Sequence, residues 1–147
     1  MYLLDTNIVS ANAPSKSEIG SDTFAAWINQ NSERLFISTI TVAEIEAGIA
    51  RAVRIGAAAK AGRLRRWLAA VEHFYGERIL AFGIGEAREA GAILDRARAH
   101  DSGFENIAIA ATAAVRGFVI LTANERHFAP LGVAFVNPFK QLPPADI

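Results

Sequence analysis

The chain has 147 residues, which is one ordinary domain's worth and long enough to bury a core without staples. It is 52% hydrophobic, yet its apolar runs are short and broken by charge, so none reaches the roughly 20 residues a membrane span needs. A soluble, cytoplasmic protein with no membrane association is expected. Lys plus Arg and Asp plus Glu are 15 each, leaving no global field to draw in nucleic acid, and the lack of cysteine excludes disulfides, thiolate metal sites and cysteine nucleophiles.

In chain order, Tyr2-Leu3-Leu4 is a short apolar run that stops at Asp5, with cap-type Thr6 and Asn7 opening a helix. Residues 12–21 are rich in turn formers, and helical spacing of Phe24, Trp27 and Ile28 predicts a second helix from Thr23. Leu35–Ile37 reads as a buried strand feeding a helix from about Thr41, and a further helix is predicted from Ala58 to Phe74. Together these two form a helical arm with an apolar face. The arginines and lysine at 51, 54, 60, 63, 65 and 66 are read as its solvated face. Ile79–Phe82 predicts a strand, Glu86–His100 a helix, Glu105–Val115 a helix buried on most sides, and Phe118–Leu121 a strand after the break at Gly117. Val133–Val136 is the last predicted strand, before a proline-containing tail. Strands alternating with helices in one domain over 1–147 predict a three-layer α/β/α sandwich with a mainly parallel central sheet.

Ligands of such sheets bind beyond the carboxyl ends of the strands, and Asp5, Ser38 and Thr122 fall just after predicted ends. Taken singly, the acids have bland explanations. Asp5 or Thr6 reads as a helix cap, and Thr41–Glu44, Ser102–Glu105 and Thr122–Glu125 each match the S/T-x-x-E capping box. Their coincidence at one end of one sheet favours chemistry, because clustered carboxylates call for a hard divalent cation, and that pairing suits phosphodiester hydrolysis. His73, His100 and His127 share no metal-ligand spacing and are expected at the surface. Phosphate-binding loops, dinucleotide fingerprints and hydrolase elbows are absent, and Trp27 and Trp67 are expected in core or interface.

Four segments in this order, LLDTNIVS at 3–10, STITVAEIEAG at 38–48, FENIAIAATA at 104–113 and VILTANERHF at 119–128, resemble the PIN-domain family, and in particular its VapC and FitB toxins. The resemblance extends from Tyr2 to Phe139. It implies a Mg²⁺- or Mn²⁺-dependent ribonuclease, the toxin of a type II toxin–antitoxin pair, homodimeric and held by a VapB- or FitA-like antitoxin, with DNA reached only through that partner. Asp5 and Glu44 map onto the first two metal ligands, supported by Thr6 and Asn7, with Thr112 or Thr122 lining the site. Asn106 falls where the family usually has a third acid, Asn124 on a position commonly Asp or Asn, and His127 where a further Asp often stands. An asparagine offers only a neutral carbonyl oxygen, so metal affinity is expected to fall. Three readings stay open: an attenuated toxin, a member kept for binding in a repressor complex, or a deliberate replacement. Glu105 is assigned to capping, since its helical neighbour Asn106 points about 100° away.

Overall fold

The computed structural model describes residues 1–11 and 22–144. The turn-rich reading of 12–21 lies outside them. Five strands form the sheet: β1 (Tyr2–Leu4), β2 (Leu35–Ser38), β3 (Ile79–Leu80), β4 (Val119–Leu121) and β5 (Phe135–Val136), in the order β3-β2-β1-β4-β5. Every pairing is parallel. The helices are α1 (Thr6–Ser10), α2 (Asp22–Gln30), α3 (Thr39–Arg54), α4 (Ala58–Tyr75), α5 (Ile84–Arg96), α6 (Phe104–Ala114) and α7 (Glu125–Phe128).

Side-chain alternation along the strands divides the core in two. Tyr2, Leu4, Leu35, Ile37 and Leu121 pack with Ile8, Trp27, Ile45, Ile49, Leu64 and Leu68 on one face of the sheet. Leu3 and Ile120 point the other way, into Ile93, Ile107, Ile109, Phe128 and Leu131. The result is the predicted three-layer sandwich, with α6 buried continuously from Asn106 to Ala113 against the sheet. Small side chains make that position available to α6, since its alanines let the backbone approach closely. Trp27 is buried edge-on to Tyr2, with ring centroids 5.5 Å apart. The basic residues Arg51, Arg54, Lys60, Arg63, Arg65 and Arg66 are all exposed, as the helical spacing required.

Predicted element ends move by a few residues, and the reasons are local. The helix read as beginning at Glu86 begins at Ile84, because Glu86 Oε2 reaches back to accept from Gly83 N at 2.9 Å. Gly117 turns the chain from α6 into β4 with a φ of 69°, a backbone conformation L side chains rarely adopt. Its Cβ would meet open space, so the backbone alone selects glycine there.

After β3 the chain crosses back to place β4 on the other side of β1 from β2. The strand order therefore reverses at β1, and the crevice beyond its carboxyl end is where such sheets hold ligands.

Candidate active site

Asp5 sits at that reversal. Its backbone N–H donates to Leu121 O at 2.9 Å, extending the β1–β4 ladder by one residue and fixing where the side chain emerges. Its φ of −68° and ψ of 156° are those of a helix N-cap, and Oδ1 accepts from Thr6 N at 2.8 Å. The cap is real, yet it occupies only one oxygen. Oδ2 accepts from Thr122 Oγ1 at 2.8 Å and from Asn7 Nδ2 at 3.1 Å. Thr122 Oγ1 in turn accepts from Asn124 N at 2.9 Å. Asn7 Oδ1 accepts from Ala123 N at 3.3 Å, so the turn after β4 is laced to the first turn of α1. At 3% exposure Asp5 lies on the floor of a cleft rather than at an open mouth. Burial raises its pKa, against the opposing pull of the bonds from Thr122, Thr6 and Asn7 and of the nearby His127.

Glu44 approaches from α3. The capping box read at Thr41–Glu44 does not form, because the helix begins two residues earlier with Ser38 as its cap, Oγ accepting from Ile40 N at 3.0 Å. Thr41 and Glu44 are thereby freed to face α1. Thr6 Oγ1 donates to Glu44 Oε1 at 2.7 Å and lies 3.0 Å from Thr41 Oγ1. A hydroxyl has one proton, so with Thr6 donating to Glu44, Thr41 donates to Thr6. This relay orients Glu44 beside Asp5. Burial raises the Glu44 pKa, the Thr6 bond lowers it, and the charges of Asp5 and Glu105 raise it again.

The other two predicted boxes are also absent. Thr122 serves Asp5, and Glu125 pairs instead with Lys140 at 2.5 Å. At α6 the N-cap is Gly103, without a side-chain cap bond. Glu105 lines the cleft with Asp5 and Glu44, so its assignment to capping is corrected. Gly103 has a φ of 77°, and a Cβ there would stand 2.5 Å from Glu105 Oε1. Gly103→Ala is therefore expected to cost at least about 1 kcal/mol in denaturant unfolding and to displace Glu105 from the cleft.

Asn106 and Asn124 reach the same cleft, whose volume is about 330 Å³. Asn106 is buried, and its Nδ2 donates to Ser102 O at 2.5 Å, leaving Oδ1 as its free acceptor. His127, expected at the surface, is half-buried in the cleft with Nδ1 3.4 Å from Asn106 Nδ2. Its signal in the sequence was a position usually acidic in the family it resembles, not any spacing of its own. Thr112 does not line the site; its hydroxyl is spent on Ala108 O at 2.8 Å. His73 and His100 are exposed as expected.

The cleft thus presents Asp5, Glu44 and Glu105, with no lysine or arginine among the described residues that line it. Among the described residues no three acidic or imidazole groups converge tightly enough to cage an ion. Two adjacent carboxylates with raised pKa values and room for water nonetheless fit Mg²⁺, which takes one or two carboxylates and keeps much of its hydration.

Comparison with known proteins identifies the family. A model of the PIN domain matches residues 2–132. The plasmid stability protein StbB of Pseudomonas syringae pv. tomato is 32% identical over 145 residues, covering 95% of this chain and 99% of that protein. The VapC ribonuclease Y4jK of Sinorhizobium fredii is 30% identical over 148 residues, covering 95% and 99%. Among solved structures, a chain of FitAcB from Neisseria gonorrhoeae superposes with a TM-score of 0.78 at 28% identity, covering 95% of this chain and 99% of that one. A chain of DNA-bound VapBC from Salmonella typhimurium gives 0.69 at 28% identity, covering 92% and 96%. The family model spans every segment that lines the cleft, two relatives of at least 30% identity match over nearly their whole length, and the chain belongs to the PIN domain family.

Proposed function

We propose that this chain is the toxin subunit of a toxin–antitoxin pair and a divalent-metal-dependent endoribonuclease. The observation that carries this reading is the convergence of Asp5 and Glu44, joined through Thr6, at the crevice where the strand order reverses. A ribonuclease among the full-length relatives supports the substrate class. Asp5 and Glu44, with Asn106 Oδ1 as a neutral third donor, would hold a Mg²⁺ or Mn²⁺ ion, which would supply charge neutralisation and Lewis acidity. The chain's own residues supply order. Thr6 N, Asn7 and Thr122 hold the Asp5 carboxylate in one rotamer, and the Thr41–Thr6 relay holds Glu44. Fixed acceptors of this kind have no reorganisation left to undergo when charge develops on phosphate. Asn124, exposed at the rim, meets the strand as it enters.

An antitoxin is the partner this reading requires, and solved complexes of FitAB and VapBC support it. An apolar cavity of about 200 Å³ bounded by Ile8, Val9, Ile28, Trp67, Val71 and Phe74 suits an antitoxin helix laid across α1, α2 and α4. An antitoxin arginine entering the cleft would pair bidentately with its carboxylates. DNA contacts then belong to the antitoxin, consistent with a chain of zero net charge. A homodimer and a cytoplasmic setting accompany the same proposal. No described helix is long and apolar enough to cross a membrane.

The test is to incubate the purified chain with structured RNA and Mg²⁺ beside an Asp5→Ala control. Metal-dependent cutting above the control is expected, and equal cutting by both removes the nuclease reading. One observation favours a second reading, a non-catalytic repressor partner. Asn106 stands where the family usually has an acid, and it donates its amide to Ser102 O. That reading predicts an operator gel shift only with antitoxin present, and no cleavage by the sequence as it stands.

A further inference from the structure

An RNA phosphate entering a cleft lined by Asp5, Glu44 and Glu105 meets negative charge, and among the described residues no lysine or arginine lines the cleft to receive it. Beside the proposed metal ion, neutral donors are what the described lining offers it. Asn106 Nδ2 carries two hydrogens. Ser102 O can only accept, and takes one of them at 2.5 Å. For the second hydrogen, His127 Nδ1 stands 3.4 Å from the amide nitrogen, a long contact. An amide N–H meets a ring nitrogen favourably only when that nitrogen is bare, and in a neutral imidazole the proton then resides on Nε2.

We propose that Asn106 is a positioning residue that holds His127 as its Nε2–H tautomer, and that this N–H binds a non-bridging oxygen of the RNA phosphodiester in the cleft. An aspartate at 106 would reverse the arrangement. It would lose the Ser102 bond, accept rather than donate toward Nδ1, and move the neutral ring's proton to the nitrogen facing it. Asn106 and His127 are thus a matched pair, in which the amide creates a donor at the position where two acids would have created only charge. The identity of the bound anion rests on the nuclease reading; the tautomer does not.

Two measurements test it on the full chain. Long-range proton–nitrogen NMR at about pH 8, above the usual imidazole range, reads the tautomer directly. The expected result is a bare Nδ1 in the wild type and a protonated Nδ1 in Asn106→Asp. A protonated Nδ1 in the wild type, or the same tautomer in both proteins, overturns the positioning role. The second measurement is binding of a short labelled single-stranded RNA in Ca²⁺. His127→Ala and His127→Asn are expected to bind roughly tenfold more weakly, the order of one hydrogen bond to a charged group, while His127→Gln, whose amide nitrogen takes the place of Nε2, retains most of the affinity. Equal loss in the Gln and Ala variants, or wild-type affinity in the Ala variant, overturns the phosphate contact. A wild type with the expected tautomer but no affinity for RNA removes the nuclease reading and the phosphate contact together and leaves the positioning role standing. RNA cutting that proceeds with equal loss in Gln and Ala removes only the phosphate contact.

Discussion

Asp5→Ala is expected to lower RNA cleavage by more than about a hundredfold, since even residues that merely orient a metal ligand cost about 10- to 100-fold when removed. The variant should still fold. It loses a helix cap worth about 1 kcal/mol and leaves the donors of Thr6, Asn7 and Thr122 without their acceptor, but it also removes a carboxylate from a floor that is 3% exposed. Loss of activity with a retained melting transition would place the effect in the cleft. Thr122→Val gives the graded version. The Thr122 hydroxyl bonds Asp5 Oδ2 and lowers a pKa that burial raises. Without it the Asp5 pKa rises further, and a higher pH is needed before the carboxylate is free to ligate. The acid limb of the pH–rate profile should therefore move to higher pH, with activity below it reduced about 10- to 100-fold. A profile that keeps its acid limb while losing amplitude would mean that Thr122 does not act through Asp5.

The sandwich was legible because the strands are apolar runs with clear ends and the helices between them keep their spacing; Leu3 and Ile120 separate from Tyr2, Leu4 and Leu121 by simple alternation. The meeting of Asp5 and Glu44 was legible from strand ends and motif order together, and from neither alone. What misled was capping. S/T-x-x-E occurs at Thr41, Ser102 and Thr122, but capping depends on where the first helical hydrogen bond falls, and Ser38, Gly103 and Asn124 hold the cap positions instead. The observed caps stand three residues before Thr41, one after Ser102 and two after Thr122, so neither Glu44 nor Glu105 holds the third helical position from which a box glutamate reaches back to the cap, and both line the cleft instead. His127 was hidden for a different reason. Its partner Asn106 is 21 residues away, and the contact depends on how α7 packs beside α6.

Glu44→Gln is expected to stabilise the metal-free protein and destabilise the metal-bound one. Glu44 is half-buried between the charges of Asp5 and Glu105, all of which, with burial first, raise its pKa in the folded state. A carboxylate with a raised folded pKa binds its proton more tightly when folded than unfolded. Its stabilising contribution is therefore complete below the ordinary carboxylate range and lost as pH rises through the raised value. A glutamine behaves as the protonated acid at every pH, and its carbonyl can still accept from Thr6 Oγ1. In EDTA the variant should melt about 2 °C above wild type near neutral pH, the screened exposure of Glu44 keeping the difference small, and the two should converge below about pH 4. Mg²⁺ reverses the order. At a hundredfold excess over its dissociation constant an ion that binds only the folded state adds about 2.7 kcal/mol, or about 5 to 10 °C for a chain of this size. Wild type should gain that shift and Glu44→Gln only a small part of it, because a neutral amide cannot balance the ion's charge. Equal metal shifts in the two proteins would remove Glu44 from the ligand set, whereas a metal-free variant no more stable than wild type would show that Asp5 and Glu105 do not strain it.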